Sequence, residues 1–157
     1  MANHRDYISR QGYNDLKAEW ADLKQVQRPE MQKQVQVAAA EGDRSENAAY
    51  TYGKMRLREI DRRLRYLDKI IDKAVVVDEI ADTSKIRFGA TVKLLNLDNQ
   101  KQSTYTLVGQ NEMDVMQGKI SISSPLGKVL IGKETGNTLV FQTPRGPQNL
   151  SIQSVEY

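Results

Sequence analysis

The chain has 157 residues and a mass of 17.8 kDa, room for one ordinary domain or two small ones. It holds no cysteine and one histidine, which excludes disulfides and thiolate metal sites and leaves any metal site of this chain alone almost entirely to carboxylates. Its net charge of +3, from 23 basic and 20 acidic residues, is a mild bias that excludes a histone-like coat for DNA.

The opening stretch, MANHRDYISRQGY, lacks the apolar core of a secretion signal. No apolar run approaches the roughly 18 residues of a membrane span. A soluble protein in a reducing, cytoplasmic setting is the expectation, with no membrane partner. Residues 1–76 carry 15 Lys/Arg and 12 Asp/Glu, whereas residues 77–157 carry 8 of each, so the charge excess sits in the first part. Seven of the ten glycines and three of the four prolines sit in the second. The expected division is 1–76, punctuated like helix, and 77–157, punctuated like strands and turns.

Apolar residues recur at Tyr13, Leu16, Trp20 and Leu23, then at Met31, Val35 and Ala38. This is a helical stripe with one gap, and Pro29 falls in the gap, where a kink or thinner packing is expected. A second stripe, Leu57, Ile60, Leu64, Leu67, Ile71 and Ala74, keeps strict heptad spacing. Gly42 lies between the stripes, where one helix stops and another starts. An antiparallel coiled-coil hairpin follows, with arms of about 30 residues and a length of about 45 Å at ~1.5 Å per residue.

Beyond residue 76, short runs read as strands at 90–95, 104–108, 119–123, 139–142 and 150–155. Pro125 is placed to open one short helix and Gly132 to close it. The expected fold class is therefore α+β, a helical hairpin followed by a small antiparallel sheet with one helix.

Candidate chemistry is sparse. Asp43 and Glu46 sit at the turn of the hairpin and at the start of its second helix. Asp at an N-cap with Glu three residues on resembles a capping box. The same pair could contribute to Mg²⁺ binding, but Mg²⁺ takes six oxygens, so ligands from another molecule would be needed. Lys54, Arg58, Arg62, Arg65 and Lys69 follow at spacings of 3 or 4 and form one outward stripe, with Arg56 and Arg63 flanking the seam. Two readings stay open here: a solvated face paired to Glu59 and Asp61, or a track for a phosphate backbone. Tyr50 falls on the extended seam and Tyr52 is placed to stack on a base. There is no Walker loop, no dinucleotide fingerprint and no Gly-x-Ser-x-Gly motif.

The string GDRSENAAY at 42–50, followed by RLREIDRRLRYL at 56–67, resembles the tip and second helix of the bacterial Gre factors, transcript-cleavage factors of RNA polymerase. FGATVKLLNLD at 88–98, ISISSPLGKVLIGKE at 120–134, TP-x-G at 143–146 and the closing VEY extend the resemblance over nearly the whole chain. The tip and basic helix are closest to GreB, while the strings at 88–98 and 130–134 are closer to GreA. The resemblance implies a hairpin that enters the secondary channel of the polymerase. There Asp43 and Glu46 would help hold the second Mg²⁺ of the polymerase active site, and the polymerase itself would cut the 3′ end of backtracked RNA. The factor would not be an enzyme and would bind no cofactor stably alone. Arg44, Lys54, Arg58, Arg62 and Arg65 would face nucleic acid. The second half would be an FKBP-like domain docking on the polymerase rim helices through Ser123, Ser124, Pro125 and Leu126, and the factor would act as a monomer.

Three positions depart from the family pattern. Ala49 stands where Asp or Glu is usual, Glu41 where a neutral residue or His is usual, and Ser123 where Asp or Asn is usual. These departures leave open a binder that occupies the channel without stimulating cleavage. A coiled-coil dimer that binds nucleic acid alone accounts for the basic stripe but not for the tip string.

Overall fold

A computed structural model describes residues 4–42, 47–78, 80 and 82–157. The elements in chain order are β1 (Tyr7–Ser9), α1 (Arg10–Asp22), a π-helical turn (Leu23–Gln27), α2 (Arg28–Ala40), α3 (Ala48–Lys73), β2 (Val75–Val77), β3 (Thr91–Asn96), β4 (Gln102–Val108), β5 (Lys119–Ser121), α4 (Pro125–Leu130), β6 (Thr138–Thr143) and β7 (Gly146–Glu156). They form two units, Tyr13–Lys73 and a second made of the stretch up to Gly12 with Ala74–Tyr157.

The Tyr13–Lys73 unit is a helical hairpin. Its core is the heptad seam: Ile60, Leu64 and Leu67 of α3 are buried with Leu23, and Leu16, Trp20, Met31 and Ile71 pack around them. The gap at Pro29 coincides with a correction of register. Leu23 and Met31 are eight residues apart, which at about 100° per residue would turn Met31 roughly 80° away from the seam. In the π turn the Arg28 N–H reaches back five residues to the Leu23 carbonyl, so the turn absorbs one residue. Eight residues then act as seven, and Met31, Val35 and Ala38 return to the buried side. Pro29, which has no N–H to give, sits in the first turn of α2, just past the turn that already breaks the α pattern.

Near the turn of the hairpin the helices approach closely at Gly53, which is buried in α3. A β-carbon there would stand 2.5 Å from Val35 Cγ2.

The other unit is built on a five-stranded sheet of order β5-β4-β3-β7-β6. Alternation puts Val92 and Leu94 of β3 and Leu150 and Ile152 of β7 into one core with Ile86, Phe88, Ala90, Leu107, Ile122 and Leu130. The sheet is mixed, not all antiparallel as the sequence suggested, because β4 and β5 run parallel across the crossover at 109–118. The split at 76/77 also placed the first twelve residues with the hairpin, whereas the stretch up to Gly12 packs with the second unit. Strand β1 pairs in parallel with β2, Tyr7 opposite Val75 and Ser9 opposite Val77. The Glu112 carboxylate accepts from the Ser9 N–H and the Gly109 N–H, both at 3.1 Å, and from the Ser9 hydroxyl. Arg10 grips Asp78 with two bonds of 3.0 and 2.6 Å and holds its carboxyl below the usual range.

The close approach at Gly53 generates a test. Gly53→Ala gains about 1 kcal/mol of helix propensity but forces Val35 aside, and overpacking costs about 1–3 kcal/mol. A net loss of about 1 kcal/mol is expected in the parent, and a gain of up to about 1 kcal/mol in a Val35→Ala background. Urea melts of the four chains, followed by helical circular dichroism, check this. A loss of the same size in both backgrounds would show that the close approach is not the cause.

Candidate functional site

The hairpin tip starts with the end of α2. Glu41 closes that helix, and its N–H bonds the Ala38 carbonyl at 3.2 Å. Gly42 follows at φ +152°, a backbone conformation that other residues rarely adopt. On the far side α3 opens at Ala48, and its N-cap is Asn47. The Asn47 Oδ1 accepts the Tyr50 N–H at 3.1 Å, and the Asn47 carbonyl accepts the Thr51 N–H at 3.0 Å. The Asn47 Nδ2 also donates to the Ala38 carbonyl at 2.6 Å, across the mouth of the turn. Asn47 is therefore the cap of α3 among the described residues. Sequence reasoning passed over Asn47, although Asn directly before the first helical residue is a standard N-cap signal. Asp43, Arg44 and Glu46 themselves lie outside the described residues.

Glu41 and Ala49, the two tip positions that depart from the family pattern, line one shallow cavity of about 380 Å³ together with Glu30, Lys33, Gln34, Val37 and Ala38. The acid at 41 and the vacant acid position at 49 thus share a concavity. Among the described residues no group of three His, Cys, Asp or Glu side chains could hold a metal.

Along α3 the structure separates two kinds of arginine. Glu59 pairs with Arg56 at 3.0 Å, Asp61 with Arg28 at 2.7 Å, and Glu19 holds Arg63 through two bonds of 2.6 and 2.9 Å. The bond to Asp61 raises the Arg28 guanidinium above its ordinary range, and the bond to Glu19 does the same for Arg63. All three pairs lie beside the seam. Lys54, Arg58, Arg62, Arg65 and Lys69 are exposed on the opposite side, and none makes an ion pair among the described residues. The acids expected to neutralise the stripe are thus engaged with other arginines. Tyr52 is 55% exposed beside the stripe, while Tyr50 is half-buried, as its seam position suggested.

The loop Ser123–Leu126 belongs to the sheet unit and is held by its own hydrogen bonds. The Ser124 hydroxyl donates to the Ser121 carbonyl at 2.6 Å and accepts the Gly127 N–H at 3.1 Å, capping α4, with Pro125 at the first turn. The Ser123 N–H bonds the Ser121 hydroxyl at 3.0 Å. Pro125 is exposed, Ser123 and Ser124 are half-buried, and Leu126 lines a cavity of about 260 Å³ with Tyr105, Phe141 and Lys101. A loop so held presents Pro125 and Leu126 in a fixed arrangement.

Two family models cover the chain. "Transcription elongation factor, N-terminal" matches residues 6–76, and "Transcription elongation factor, GreA/GreB, C-term" matches residues 81–157. The transcription elongation factor GreB of Neisseria meningitidis is 47% identical over 155 residues, covering 98% of this chain and 94% of its own. The transcription elongation factor GreA of Helicobacter pylori is 40% identical over the same shares of the two chains. Among solved structures, the GreA factor homolog 1 (Gfh1) protein of Thermus thermophilus is similar over 96% of this chain and 98% of its own, with 23% identity and a TM-score of 0.44. With both parts of the sequence matched and relatives this similar over nearly their full length, the chain belongs to the GreA/GreB family of transcription elongation factors.

Proposed function

We propose that the hairpin enters the secondary channel of RNA polymerase and stimulates cleavage of backtracked transcripts in the polymerase's own active site. Asp43 and Glu46 would be lent to a Mg²⁺ held jointly with the polymerase. In two-metal chemistry one ion would activate the attacking water and the other steady the leaving oxygen, chemistry that this chain does not complete by itself. The observation that carries the reading is the cap at Asn47. With an amide bonding the first turn of α3, no carboxylate is needed for that cap.

The unpaired stripe on α3 supports a second role, contact with the extruded RNA 3′ segment through Lys54, Arg58, Arg62 and Arg65, with Arg44 at the tip. Lys and Arg without internal partners release counterions when they meet phosphates. The self-bonded loop Ser123–Leu126 supports docking of the sheet unit, read as FKBP-like, on the polymerase rim helices. The factor would work in the cytoplasm as a monomer. One observation favours a channel binder that does not stimulate cleavage, namely Ala49 in place of the usual acid. Glu41 in the same cavity argues for retained acidity at the tip.

Two tests follow. Asp43→Asn and Glu46→Gln replace a carboxylate by an amide of the same shape, and a neutral amide is a much poorer Mg²⁺ ligand. Both variants are expected to melt within a few degrees of the parent, to compete for polymerase as the parent does, and to lose most stimulation of cleavage. Alone with RNA and Mg²⁺ the parent should give no products. Variants that fold, bind and cleave like the parent would turn the reading to the channel binder.

Replacing both Arg58 and Arg62 by Ala is expected to leave stability within about 0.5 kcal/mol, since neither side chain has a partner to lose among the described residues. Crosslinking to RNA should weaken, and the salt dependence of binding should fall by up to about two ion equivalents. An unchanged salt slope with unchanged crosslinking would make these arginines a solvated face.

A further inference from the structure

At the tip the Asn47 side chain bonds both helices of the hairpin, and half of that tie is not needed for capping. The Asn47 Oδ1 takes the Tyr50 N–H at 3.1 Å, which is all that an N-cap requires. Ser and Asp would do the same nearly as well. The Asn47 Nδ2 makes a different bond, to the Ala38 carbonyl of α2 at 2.6 Å. That carbonyl already receives the Glu41 N–H at 3.2 Å, so the amide does not rescue an orphaned acceptor. Ala38 is 4% exposed, and a hydrogen bond in such a sheltered place is stronger than one in water. Among side chains of this length, only asparagine both accepts from one helix and donates to the other.

The consequence is geometric. The turn leaves α2 at Glu41 and re-enters α3 at Asn47, and the clasp fixes the separation of those two ends. We propose that Asn47 is a positioning residue for the tip. Its role is to set the anchor points from which the tip acids are presented to the polymerase. The inference rests on the reading that the tip carboxylates act in cleavage. A misplacement of about 1 Å at a reacting centre can cost about 100-fold in rate. Asn47 therefore governs the rate of cleavage at saturation more than the affinity for polymerase.

The test separates the donor from the cap. Asn47→Ser keeps a neutral acceptor for Tyr50 but is too short to reach Ala38. Asn47→Asp keeps the shape and the acceptor and loses the donor. Asn47→Ala loses both. On stalled elongation complexes with full-length factor, the Ser and Asp variants are expected to lose about 10- to 100-fold in cleavage rate at saturating factor. The concentration giving half-maximal effect, and competition for polymerase, should move less than about threefold. Hydrogen exchange of the Tyr50 amide should stay slow in both variants, and only Asn47→Ala should expose it and melt clearly lower.

Parent-like cleavage by Asn47→Ser and Asn47→Asp, beside inactive Asp43→Asn and Glu46→Gln, would overturn this inference alone. If all four variants cleave like the parent, the proposed function falls and this inference with it. If Asn47→Ser and Asn47→Asp melt as low as Asn47→Ala with an exposed Tyr50 amide, the donor is part of the fold and the positioning role is refuted.

Discussion

A hairpin of two helices can bury only one stripe of each, and this limit governs the α-helical unit. Ile60, Leu64 and Leu67 face Leu23, and the outward residues of α3 are exposed. Whatever the outward side carries must be stable in water, so the bland occupant would be charge of both signs in mutual pairs. Instead the charges sort by distance from the seam. Arg28, Arg56 and Arg63, beside it, take Asp61, Glu59 and Glu19. These pairs keep between about a third and a half of their side-chain surface in solvent, and such pairs are worth about 0–1 kcal/mol each. Their larger effect is to engage the nearby acids and leave the outward cations uncompensated.

The same seam explains a feature that composition hides. A heptad repeat tolerates no eight-residue step without losing its partner face. The first arm contains one, between Leu23 and Met31, and the π turn takes up the extra residue. One loosened turn therefore keeps the apolar stripe on one side from Leu16 to Ala38. Without it Val35 would not reach Gly53, and the tight end of the hairpin near the tip would not form.

What was legible in the sequence divides along physical lines. Periodicity is local, so the heptad seam of α3, the outward stripe of Lys54 to Lys69 and the alternating strands β3 and β7 were readable. The helix opened by Pro125 was readable too, because proline and a serine cap leave a local mark. Pairing across the chain left no such mark. Strands β1 and β2 have three residues each, and their partnership depends on Glu112 and on the Arg10–Asp78 bridge, far away in sequence. The parallel step from β4 to β5 was missed for a related reason, since strand direction is set by a crossover and not by alternation. At the tip the order of residues misled. Asp43 with Glu46 matches a capping box so well that Asn47, one position further on, was overlooked.

The charges at the tip run against helix energetics. An N-terminal first turn favours acids, and Ala49 sits there neutral. A helix C-terminus disfavours acids by about 0.3–1 kcal/mol, and Glu41 sits there, in the same concavity. Moving the carboxylate from 41 to 49 would ease both ends at no cost in composition. The neutral Asn47 adds to the pattern, because an aspartate there would cap α3 equally well and suit its dipole better, but could not donate to Ala38. At positions 41, 47 and 49, then, the residue present is not the one that the helix dipoles alone would choose. Local rules broken together at one place, while the seam below obeys them, mark a surface shaped for use by another molecule.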